Sequence, residues 1–233
     1  VSALALKAGL DMDMVSEGFV GTIEKSVKEG KVSEEDVNIA CRRILEAKYK
    51  LGLFKDPYKY CDSSRRAKQI FTAETRAAAR EIARESFVLL KNQGNVLPLQ
   101  RKGKIALVGP LANTRANMPG TWSVAAVSDK YSTLLEGMQR AVAGKAEILY
   151  AKGSNLMYDA KREADATMFG REMRDSRSDK EMLDEALAIA KEADVIVAAL
   201  GESSEMSGES SSRTDLEMPD AQRDLLKALP ATG

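Results

Sequence analysis

Residues 178–200 read SDKEMLDEALAIAKEADVIVAAL, and the fold class turns on the change of period inside them. Ser178 stands three residues before Glu181, the spacing of a capping box, so a helix is expected over Ser178–Ala193. Asp194–Leu200 then passes through Val195, Ile196, Val197 and Ala198, the composition of a short strand buried on both faces. Outward from this stretch the alternation repeats. Ile105–Val108 reads as a first strand, Ser132–Val142 as a helix and Glu147–Tyr150 as a second strand, with Pro219 at the first position of a last helix that runs to Leu229. Short β-rich runs alternating with helices are the pattern of a parallel sheet, which places this part of the chain in the α/β class. Residues 152–177 form a long insertion with no assigned element.

Upstream the pattern is helical. Glu17–Lys50 carries helical spacing, broken at Gly30 and restarted at Ser33, whose Asp36 three residues on resembles a cap. Val37, Ala40, Cys41, Ile44 and Leu45 then make one apolar stripe. Gly52–Ser63, with Asp56-Pro57, breaks it, and Thr72–Lys91 reads as a long Ala-rich helix. Asn92–Lys104, with two glycines, Pro98 and three basic residues, reads as a linker, and a domain boundary is expected there. Ser2–Met14 enters an apolar, small-residue stretch without a helix-start signal, and Gly233 is placed as a stop after the last helix, so the chain reads as a fragment cut between elements.

Composition narrows the chemistry. The chain has 233 residues, 44% of them hydrophobic and 30% charged, which suits a globular protein with a real core. Lys plus Arg number 35 and Asp plus Glu 35, so no net field attracts a nucleic acid or an anionic membrane surface. No apolar run is long enough to span a membrane. With no histidine, a Ser-His-Asp triad, a Cys-His pair and a His-ligated metal are all excluded. Cys41 and Cys61 read as two unpaired thiols, cysteine being commonly a small buried hydrophobe, and not as a disulfide or zinc site. Carboxylates, Lys, Tyr and Ser remain to carry chemistry.

Ligands of open parallel sheets bind beyond the carboxyl ends of strands. Two loops qualify, Gly109–Asp129 and Gly201–Glu217. The second concentrates Glu202, Glu205 and Glu209 in a Ser-rich tip. A carboxylic acid on such a loop suits general acid catalysis, and a solvated connection would have the same composition. The first carries Gly120-Thr121-Trp122-Ser123, with the only Trp of the chain, suited either to stacking on a sugar face or to packing in a seam. No phosphate-binding glycine motif is present: Gly109-Pro110-Leu111-Ala112 lacks the G-x-G-x-x-G spacing.

Taken together these residues resemble glycoside hydrolase family 3, in particular its bacterial periplasmic β-glucosidase branch. The likeness runs through Ala8-Gly9-Leu10-Asp11-Met12-Asp13-Met14, Arg43-Ile44-Leu45, Gly52-Leu53-Phe54-Lys55-Asp56-Pro57-Tyr58, Val88-Leu89-Leu90-Lys91-Asn92, Val108-Gly109-Pro110-Leu111-Ala112 and Gly120-Thr121-Trp122-Ser123. The resemblance implies that residues 1–60 close a (β/α)8 barrel, 61–103 link it onward, and 104–233 begin a parallel-sheet α/β sandwich. It implies retaining hydrolysis of a β-glucoside or oligosaccharide with no cofactor, in the periplasm or a secreted setting. Glu209-Ser210-Ser211-Ser212-Arg213 falls on the family's Glu-Gly-x-Asp-Arg pattern, with Ser210 for Gly and Ser212 for Asp, which assigns Glu209 as acid/base and leaves Glu205 as runner-up. Trp122 would stack on the sugar beyond the cleaved bond, Met14 would line the pocket or pack in the core, and Arg213 would hold the loop by pairing with a carboxylate such as Asp215. The family's Ser-Asp-Trp nucleophile motif is absent, since Ser128-Asp129 and Ser178-Asp179 are each followed by Lys. The isolated chain is therefore expected to be inactive. Oligomeric state stays open.

Overall fold

The computed structural model describes residues 1–123, 125–166, 174–209 and 211–232. The chain forms two compact units, Val1–Leu90 and Lys91–Gly233. The first contains helices α1 (Ser2–Lys7), α2 (Gly18–Lys28), α3 (Glu34–Lys50), α4 (Ser64–Gln69) and α5 (Ala73–Glu85). Ser33 caps α3 as its spacing predicts: its hydroxyl accepts from Asp36 N at 3.1 Å, and its own N–H donates to the Asp36 carboxylate at 3.0 Å. Leu6, Val32 and Ala40 are buried together, with Phe19, Ile23, Val27 and Val37 packed around them. Only the first turns of the predicted α3 stripe join this core. Cys41 and Leu45 are exposed, as is Cys61, and the two thiols are unpaired as read from the sequence. The helix expected over Thr72–Lys91 is shorter: α5 starts from a Thr72 cap and stops at Glu85, and Phe87–Leu90 continue without helical structure, all exposed. Ala8–Met14 forms no strand.

The second unit contains β1 (Lys104–Val108), α6 (Leu134–Val142), β2 (Glu147–Ala151), α7 (Ala160–Ala166), α8 (Asp179–Glu192), β3 (Val195–Ala198) and α9 (Asp220–Ala228). The three strands make one parallel sheet in the order β2-β1-β3, with Ala106 opposite Leu149 on one side and Ile196 on the other. This is the α/β architecture read from the alternation of periods. Ala106, Leu107 and Val108 are fully buried, because β1 lies between two neighbours and under helices. Val108 and Ala151 meet Ala186 and Ala190 of α8 and Leu225 of α9 in the core. The small alanines let α8 lie close to the sheet.

Capping residues set the helix starts. Ser178 and Glu181 cap α8 reciprocally, as their spacing predicts, and Thr133 and Glu136 do the same for α6. Pro219 is the residue before α9 instead of its first position. β3 departs from its reading as a strand buried on both faces: Val195, Ile196 and Val197 are half-buried and Ala198 is exposed, because β3 is paired only with β1 among the described residues. The insertion contains α7, while residues 167–173 lie outside the described residues. The same holds for Gly233, named as a stop, and for Ser210 of the Glu209 motif.

Candidate functional site

β1 and β3 are adjacent and parallel, so the loops that leave their carboxyl ends emerge side by side. Gly109 makes the exit possible. Its φ is +120°, and a Cβ there would stand 2.2 Å from the Ala199 carbonyl oxygen, so any side chain would push the two exits apart. The start of the second loop is pinned from beneath by Gln222 of α9, which is fully buried. Its carboxamide accepts from Gly201 N at 2.8 Å and donates to Gly201 O at 2.8 Å and Leu156 O at 3.0 Å. One buried amide thereby satisfies three backbone groups, two of them part-buried and one buried.

Further out, the loops are joined directly. The Asn117 carboxamide oxygen accepts from Ser204 N at 3.0 Å. The Thr121 hydroxyl lies within hydrogen-bond reach of two carbonyl oxygens, those of Ser204 and, at 2.7 Å, Ser207. Gly208, at φ +119°, rests against Thr121: a Cβ at 208 would come within 2.9 Å of the Thr121 methyl. Between the loops lies a groove of about 450 Å³, lined by Met118, Thr121, Trp122, Glu202, Ser203 and Gly208 among others. Trp122 is 69% exposed at the groove.

The three glutamates of the second loop occupy different surroundings. Glu202 lines the groove and is ion-paired with Arg213. Arg213 also donates to Glu217 O at 2.7 Å, so it ties the two ends of the loop together. Its expected partner Asp215 instead accepts from Glu217 N at 2.6 Å, a local turn contact, and the pairing proposed from sequence is corrected to Glu202. Glu205 sits half-buried in a 3-10 turn over Ser204–Met206, its carbonyl accepting from the Ser211 hydroxyl at 2.8 Å. Glu209 is exposed in the turn that follows Gly208, next to the groove lining. Glu209 and Trp122 are thus carried on loops that the fold brings together.

Met14 belongs to the first unit, where it is 82% exposed, so it does not pack in that core, and every lining residue of the groove comes from the second unit. Beside it, Asp13 accepts from the Ser16 hydroxyl and from Phe19 N, which hold its carboxyl below the usual range. Among the described residues no group of three or more His, Cys, Asp or Glu is placed to hold a metal, and no helix is long and apolar enough to cross a membrane. Asn117 and Gln222 had no signal in the sequence: their partners, Ser204 and Gly201, lie 87 and 21 residues away.

Comparison with known proteins agrees with this geometry. Residues 87–233 match the model of the glycosyl hydrolase family 3 C-terminal domain. The chain is 44% identical over 99% of its length to a periplasmic beta-glucosidase of Salmonella typhimurium and 31% identical over 99% to a beta-xylosidase of Formosa agariphila, spanning 31% of the length of each. The crystal structure of a beta-glucosidase from Listeria innocua in complex with glucose superposes on all of this chain, and on 28% of its own, with a TM-score of 0.78 at 31% identity. The parallel sheet, the paired loops at its carboxyl edge and the family match over residues 87–233 together show that the chain belongs to glycosyl hydrolase family 3.

Proposed function

We propose that this chain is part of a retaining, exo-acting β-glucosidase and supplies its general acid/base, Glu209. The observation that carries the reading is the groove between the two loops, with Trp122 and Glu202 in its lining and Glu209 next to Gly208 at its edge. Glu202 is engaged by Arg213, which ties it to the far end of its own loop. That leaves Glu209, exposed beside the groove lining, with Glu205 as the runner-up on the same loop. In the first step Glu209 gives its proton to the glycosidic oxygen while an Asp outside these 233 residues attacks the anomeric carbon. In the second, Glu209 takes a proton from the water that releases the sugar. Trp122 offers its face to the sugar beyond the cleaved bond.

On this reading residues 1–60 end the barrel that carries the nucleophile, 61–103 connect it, and 104–233 begin the sandwich domain. The substrate is a terminal β-D-glucosyl residue, and the setting is the periplasm, in keeping with the name of the Salmonella relative. The test uses the full-length polypeptide and an aryl β-glucoside, whose leaving group needs little protonation. Glu209→Gln should slow sugar release by roughly 10²–10⁴-fold, and azide should restore turnover as a β-glycosyl azide. A fully active Glu209→Gln beside a crippled Glu205→Gln would move the role to Glu205. A wild type inert to every β-glycoside would make the chain a binding module.

A further inference from the structure

We propose that Thr121 is a positioning residue for the acid: its hydroxyl and methyl hold the Glu209 loop in register with Trp122. The proposal rests on the Glu209 reading and adds a residue to it. Thr121 precedes Trp122, and Gly208 precedes Glu209, so the contact between Thr121 and Gly208 fixes where the two following residues start. Both faces of Thr121 take part. Its hydroxyl shares one proton between the carbonyls of Ser204 and Ser207, which close the turn ahead of Gly208, and its methyl packs where a Cβ of residue 208 would otherwise be. The second strut, Asn117 to Ser204 N, lies earlier in the loop, and Ser211 closes the acid turn on itself by donating from its N to Gly208 O at 3.3 Å, so Thr121 is the tie from the Ser207–Gly208 end to the stacking loop. Without the hydroxyl, two carbonyls lose a donor and the acid turn loses its tie to the stacking loop. A misplaced acid costs most where the leaving group most needs a proton, because positioning error acts on that transition state.

The experiment compares Thr121→Ser, which keeps the hydroxyl, with Thr121→Val, which keeps the volume, in the full-length polypeptide. Cellobiose serves as a substrate with a poor leaving group and a dinitrophenyl β-glucoside as one with a good leaving group; Glu209→Gln runs alongside. The expected result is a roughly ten- to a hundredfold fall in kcat on cellobiose for Thr121→Val, little change in glycosylation with the dinitrophenyl substrate, and a clearly smaller loss for Thr121→Ser, which keeps the hydroxyl tie and gives up only the methyl contact. Equal losses on both substrates, or a Thr121→Val indistinguishable from wild type while Glu209→Gln is impaired and rescued by azide, would overturn the positioning role. A Glu209→Gln that is fully active refutes the acid assignment itself, whatever Thr121 does. If Thr121→Val fails to fold, Thr121→Ala is measured in its place; failure of both to fold beside a folded Thr121→Ser would make the hydroxyl a stability element and sink the proposal.

Discussion

A fully buried amide with three backbone partners is the kind of residue on which a loop depends. Replacing Gln222 by Leu keeps its volume and removes the side-chain partner of Gly201 N and Gly201 O, which are part-buried, and of Leu156 O, which is buried. The expected cost is about 2–4 kcal/mol, read as a lower urea midpoint; an unchanged midpoint would show that the loop reorganises freely. Asp175 is held differently. Three donors of Arg177, its N at 3.0 Å, Nε at 3.1 Å and Nη2 at 2.7 Å, draw its carboxyl well below the ordinary range. A depressed pKa stabilises the folded state above the unfolded value, and the benefit is lost as pH falls toward the folded one. Asp175→Asn should therefore melt lower than wild type at pH 7, and the gap should narrow steadily below about pH 4. A gap that does not change with pH would mean that the charge is not what stabilises the turn. None of these contacts could be read in the sequence, because a Gln or an Asp states which bonds it can make and not which backbone will be opposite.

Elements were legible wherever start signals and period agreed. Ser178 with Glu181 and Ser33 with Asp36 announce α8 and α3, and both boxes are formed. Ser178→Ala removes the acceptor for Glu181 N and should cost about 1 kcal/mol, with Ser178→Thr close to wild type in thermal unfolding. If the alanine variant melts with wild type, α8 is held by its packing alone. Where packing decides, the sequence misleads. The α3 stripe continues past Ala40 with nothing of its own unit to cover Leu45, and the Ala-rich pattern of α5 runs on past Glu85 although the helix does not. β3 has the residues of a central strand and the exposure of an outer one, since composition reports what a strand can bury and topology decides what it does. The loops at the carboxyl edge of the sheet were foreseeable from the α/β alternation, and so was the acidic tip. The struts that join them were not, because Asn117 and Thr121 meet carbonyls and amides more than eighty residues along the chain.

Across the molecule the two units differ in what they bury. The second encloses a continuous core of β1, β2, α8 and α9, whereas the first buries Leu6, Val32 and Ala40 and leaves Leu4, Val15, Val20 and Tyr49 largely open. Hydrogen exchange should accordingly find the amides of β1 and α8 far slower than those of α3 and α5, with the first unit opening at lower urea; uniform protection along the chain would refute two independent stabilities. The place of β1 at the centre of the sheet has one more consequence, for the order in which the protein can be made. Its four innermost residues, Ile105 to Val108, need a β3 whose first residue, Val195, lies ninety positions downstream of Ile105. At ribosomal speeds of about 5–20 residues per second, that partner emerges some 5–20 s later. During nascent-chain growth β1 is preceded by Arg101 and Lys102 and opens with Lys104, and these three charges can act as gatekeepers of synthesis long before they decorate a surface.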